Sequence, residues 1–125
     1  MVMMTSKVLI PTDDSEGKVV AAHFGRAQYF AVIDLNDDGS VSAKTVHANT
    51  SEHAGGRGHA HDNVLSYQPS VIIVSGMGPR GIRNFESQNV AVLRANSHSV
   101  DDVVSSFINR ELEELTEGCA EAHHK

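Results

Sequence analysis

Ser70-Val-Ile-Ile-Val-Ser75 is apolar through its whole interior and runs directly into Gly76-Met-Gly-Pro-Arg80. A short unbroken apolar run, preceded by Pro69 and followed by a glycine turn, reads as a fully buried strand. Pro79 suits the first position of a helix, where its missing N–H leaves no hydrogen bond unmade. Ile82, Phe85 and Glu86 continue that helix. A buried strand feeding a helix is the repeating unit of an α/β sheet, and it limits what the rest of the chain can be.

Lys7-Val-Leu-Ile-Pro11 is a second buried strand, ended by its proline. A polar loop follows to about Arg26. Tyr29-Phe-Ala-Val-Ile-Asp-Leu35 is the next strand, and Asn36-Asp-Asp-Gly39 supplies the positive φ of a tight turn. Residues 40–47 return as its antiparallel partner. Ala60, Val64, Leu65 and Gln68 have helical spacing, and Pro69 stops that helix. Asn89-Val-Ala-Val-Leu93 is a last short strand. Ser99 then caps a helix with Asp101 and Asp102 in its first turn. Its apolar stripe is Val100, Val103, Val104, Phe107, Ile108, Leu112 and Leu115, which predicts a helix running to Leu115. The order is β-β-β-α-β-α-β-α. Right-handed crossovers put the later strands parallel to the first, with helices on both faces. The expected fold class is α/β: a three-layer α/β/α sandwich on a five-stranded mixed sheet, resembling the ribonuclease H-like motif.

The 125 residues fit one domain, with a core over about residues 7–115 and a polar tail at 117–125. The net charge of −6 and the scattered basic residues argue against nucleic acid, whose binding needs clustered Lys and Arg. One cysteine, Cys119, excludes an intramolecular disulfide and suits a reducing compartment. No apolar segment reads as a signal peptide or a membrane span, so the expected location is the cytoplasm, with no membrane partner.

In an open α/β sheet, ligands bind beyond the carboxyl ends of the parallel strands. Two segments are expected to converge there: His23-Phe24-Gly25-Arg26 after the first strand, and Gly76-Met77-Gly78-Pro79-Arg80 after the apolar one. The glycine-rich run Glu52-His53-Ala54-Gly55-Gly56-Arg57-Gly58-His59 joins them if it folds back to that edge. Glycines let a ligand approach the backbone, helix N-termini favour anions, and Arg26, Arg57 and Arg80 add charge-assisted contacts. The chain has eight histidines. His23 is the first candidate metal ligand, followed by His53, His59 and His61. On a helix His59 and His61 would diverge, so they chelate together only if extended. His47 and His98 read as incidental. Cys119, His123 and His124 form either a soft ligand set or a solvated tail.

Taken together, Lys7-Val-Leu-Ile-Pro, His23-Phe-Gly-Arg-Ala27 leading into Tyr29-Phe, and Val71-Ile-Ile-Val-Ser-Gly-Met-Gly resemble the dinitrogenase iron-molybdenum cofactor-binding family. The similarity spans about residues 7–110. It implies a ribonuclease H-like fold and no catalysis. It also implies binding or delivery of the iron-molybdenum cofactor, a precursor, or a related metal-sulfur cluster. His23 matches the family's histidine in this motif. The implied partners are the cluster and a metalloprotein acceptor or cluster-assembly protein. Three other readings stand beside it. A nuclease needs carboxylates placed for two metals, and the first strand carries none. A metal-free regulatory module would use the same crevice for a small anionic metabolite. A docking protein for a larger metalloprotein could use the acidic run Glu111-Leu-Glu-Glu-Leu-Thr-Glu117.

Overall fold

A computed structural model describes residues 6–24, 27–36, 38–48, 67–77 and 79–115, with Pro79 and Arg80 described by their backbone alone. Five strands form one sheet: β1 (Ser6–Thr12), β2 (Tyr29–Leu35), β3 (Val41–Ala48), β4 (Val71–Val74) and β5 (Ala91–Arg94). Two helices are described, α1 (Pro79–Ser87) and α2 (Val100–Ile108). The strand order is β3-β2-β1-β4-β5. β2 is antiparallel to both β1 and β3, while β1, β4 and β5 run parallel. The sheet is therefore mixed, as the hairpin and the βα alternation require.

Alternation along each strand divides the core into two layers. Leu9, Phe30, Val32, Ile72 and Val74 face one side, where they meet Ile82 and Phe85 of α1. Val8, Ile10, Ile33, Leu35 and Ile73 face the other and meet Val100, Val103 and Val104 of α2. The run Val71-Ile-Ile-Val can be apolar throughout because helices cover both its faces. The turn after β2 is closed by Gly39, at φ +87°.

Three sequence expectations need correction. First, α2 stops at Ile108 and does not reach Leu115. Arg110 takes a left-handed φ of 60°, its N–H bonds to Phe107 O, and the Glu111 N–H bonds to Ser106 O. Left-handed backbone paired with a six-residue hydrogen-bonded loop is a helix stop. Leu115 instead joins the α1 layer, while Leu112 packs on the α2 layer. Second, the last strand begins at Ala91, because Asn89, at φ 62°, is used to end α1. Its N–H bonds to Glu86 O and the Val90 N–H to Phe85 O. Third, Gln68 has φ 55° and lies in no helix. The remainder of the expected helix at Ala60, Val64 and Leu65 lies outside the described residues.

Candidate functional site

β1, β4 and β5 share a direction, so Thr12, Val74 and Arg94 end at one edge of the sheet. Tyr29 pairs with Thr12 and with Ala48, so β2 starts and β3 finishes at this same edge. The connection from β1 to β2 is built across it. Thr12 is fully buried and its Oγ1 donates to Asp14 O at 3.1 Å. The Asp14 carboxylate accepts the backbone N–H of Lys18 at 2.9 Å and of Val19 at 2.9 Å, folding the chain back on itself. Burial opposes the charge on Asp14, but the amides of Val19 and Lys18 outweigh it. They hold the carboxyl below its ordinary value.

The returning limb is tied on both sides. Val20 N donates to His98 O at 2.8 Å, Val100 N donates to Lys18 O at 2.9 Å, and Ala21 N donates to Pro11 O at 2.9 Å. Val20 belongs to the α2 layer, and Ala21, Phe24 and Ala27 belong to the α1 layer. The connection thus passes over the edge from one layer to the other between Val20 and Ala21, with exposed Ala22 and His23 just beyond the crossing.

Phe24 anchors the segment that follows the crossing. Its ring is buried, edge-on to Phe85 at 5.6 Å and tilted against Phe30 at 6.1 Å. The Phe24 N–H donates to Gly76 O at 3.4 Å. A Cβ on Gly76 would sit 3.5 Å from Ala22 O, an ordinary contact, so the approach does not itself demand glycine. The two segments expected to converge do meet here. Phe24 contributes anchorage, because its side chain is committed to the core, and the neighbouring imidazole of His23 is left in solvent. α1 begins at Pro79 directly after this contact, so its N-terminal amides also lie at this edge.

Among the described residues no group of three His, Cys, Asp or Glu side chains is placed to hold a metal ion. His23 is an accessible imidazole, a donor that suits a transition metal, and it stands without a second described ligand beside it. Gly25, Arg26, His53, Gly55, Gly56, Arg57, Gly58, His59, His61 and Gly78 lie outside the described residues, as does the side chain of Arg80. His47 has partners within the fold: its ring stacks on Tyr67 at 4.7 Å and its Nε2 lies 2.9 Å from Thr45 Oγ1. Sequence reasoning also missed an open hollow of about 620 Å³ beside the site, where Ser75 faces Asn96, Ser97 and His98. Of these four only Ser75 lies in a motif, as the residue before Gly76. Only the meeting of the β4 and β5 ends reveals them.

The family model for the dinitrogenase iron-molybdenum cofactor matches residues 6–110. An uncharacterised protein of Methanocaldococcus jannaschii is 26% identical over 111 residues, covering 87% of this chain and 91% of its own. The crystal structure of PH0822 is similar at a TM-score of 0.76 and 26% identity, covering 86% of this chain and 93% of that one. The NMR structure of a Thermotoga protein provisionally described as NifB is similar at a TM-score of 0.69 and 26% identity, covering 89% and 94%.

Proposed function

This chain belongs to the dinitrogenase iron-molybdenum cofactor family, and from that premise we propose that it binds and carries a metal-sulfur cluster, such as the iron-molybdenum cofactor or a precursor, without catalysis of its own. The observation that carries this reading is the hydrogen bond from Phe24 N to Gly76 O. It fastens the His23 segment onto the strand–helix turn at the carboxyl edge of the sheet, where α/β folds hold their ligands. The donor chemistry fits. His23 offers a nitrogen to a metal of the cluster, and the N-terminus of α1 favours its negative charge. Arg26, Arg57 and Arg80 would add charge, and His53, His59 and His61 further ligands, if their segments close over the cluster. The cluster is cargo in this reading, received from an assembly protein and passed to a metalloprotein in the cytoplasm.

The test is an anaerobic titration of wild-type protein and His23→Ala with isolated iron-molybdenum cofactor. His23→Ala is expected to weaken binding at least tenfold, about 1.4 kcal/mol. Its stability should change by less than about 0.5 kcal/mol, because the side chain is exposed. Equal binding by both proteins removes His23 from the site and moves attention to His53, His59 and His61. Failure of both to bind rejects the cluster reading in favour of a metal-free module.

A further inference from the structure

The two edges of the sheet are finished differently. Beyond β5 the chain returns and covers the edge itself. Leu93 bridges Glu114, Arg94 N donates to Glu113 O at 2.8 Å, and Leu115 N donates to Val92 O at 2.8 Å. β3 has no such cover among the described residues. Residues 41–45 are exposed on both faces, with Val41 54% accessible. An edge strand offers a row of unpaired N–H and C=O groups, which proteins usually guard with proline, an outward charge or a bulge. β3 contains no proline. Its register shift lies at one end, opposite Asp34 and Leu35, which leaves residues 43–48 regular. Its one charge, Lys44, donates from Nζ back to Gly17 O at 3.1 Å.

We infer that β3 is the association surface for a second copy of this chain, paired antiparallel about a two-fold axis so that two five-stranded sheets become one. This goes beyond the cluster-binding reading and does not depend on it. The charges at the edge select the occupant. Gly17 packs over this strand so closely that a Cβ on it would lie 2.8 Å from Val46 Cγ2 and 3.4 Å from Lys44 Cε. The loop around Gly17 therefore lies against the face of β3 that carries Lys44 and Val46, and Glu16 is exposed on it. A two-fold axis normal to the sheet keeps each face with itself. Placed at Thr45, it sets Ala43 opposite the partner's His47 and Lys44 opposite the partner's Val46. Lys44 then arrives beside the loop that bears the partner's Glu16, and the contact is made twice. The existing pair between Glu16 and Lys18, at 3.5 Å and largely in solvent, is a weak competitor. An axis at Lys44 would oppose two ammonium groups and is disfavoured. A second copy thus supplies both the matching edge and the matching charge.

The experiment is sedimentation of the full chain from about 1 μM to about 1 mM, because a single strand pair makes a small and weak interface. A concentration-dependent dimer is expected. Glu16→Lys and Lys44→Glu should each raise its dissociation constant about fivefold, and the double reversal should restore it. Amide exchange on wild-type protein gives a second readout. In the dimer every amide of residues 43–47 is protected, whereas a free edge leaves alternate ones fast. A monomer at every concentration overturns the inference. So does a dimer indifferent to both charge reversals, or uniform β3 protection in a monomer, which would mean that the chain covers its own edge.

Discussion

Asp13 and Asp14 follow the first strand directly, and in a sheet of this kind a carboxylate there invites a catalytic reading. Its hydrogen bonds assign Asp14 a different task. Its oxygens take the amides of Lys18 and Val19 and so shape the turn that sends the chain back toward His23. Asp14→Ala is expected to cost about 1–2 kcal/mol in urea unfolding. The pH dependence follows from the lowered native value. The native state holds this proton less tightly than the unfolded chain does. The contribution is therefore complete above the ordinary carboxylate value of about 3.9 and is lost as pH falls through the lower native one. The stability gap between wild type and Asp14→Asn should be widest near neutral pH and shrink toward about pH 3. A gap independent of pH would mean the charge is irrelevant and only the acceptor geometry matters. At this scale the sequence was partly legible. His23 could be picked out by its place after the first strand, beside Phe24 and a glycine, and its side chain is exposed. The commitment of Phe24 to the core could not be told from a ligand-facing role, because both need an aromatic next to glycine.

Both helices were legible at their starts, and α2 was misread at its end. Ser99 accepts the Asp102 amide at 3.4 Å, and serine at that position announces a cap. Pro79 announces the first turn of α1 in the same way. Both helices stop with one residue in the left-handed region, Asn89 for α1 and Arg110 for α2. Asparagine tolerates that backbone and is a recognised stop, whereas arginine gives no such signal. The apolar spacing through Leu112 and Leu115 then extends the helix on paper past its true end. Arg110→Gly should relieve the strained backbone and stabilise the protein by about 0.5–1 kcal/mol in thermal or urea unfolding. A loss of stability on that substitution would show that the arginine side chain contributes more than its backbone costs.

The molecule as a whole is a sheet whose β5 edge is closed, whose β3 edge has no cover among the described residues, and whose carboxyl end is set by the shared direction of β1, β4 and β5. Sheet, hairpin and layers could be read in advance because period-two burial and strand–helix alternation are local signals. The closure of β5 could not, since it depends on where residues 111–115 go after α2 has ended. That return crosses from one layer to the other: Leu112 packs against the layer that holds Val100, and Leu115 belongs to the layer that holds Phe85 and Val92. The crossing yields the last prediction. Leu115 is only 6% exposed, so Leu115→Ala removes buried methyl groups and leaves a cavity under α1. A cost of about 2–4 kcal/mol is expected in urea unfolding. Leu112→Ala, at a half-buried position, should cost clearly less. The β5 amides should exchange faster in Leu115→Ala than in Leu112→Ala, because Leu115 carries the hydrogen bond to Val92 O at 2.8 Å that holds the returning chain on that edge. A helix continuing to Leu115 would give the reverse pattern, with both leucines on one stripe, similar costs, and no effect on β5. Near-equal destabilisation with unchanged exchange along β5 would therefore return the chain end to α2 and reopen the second edge of the sheet.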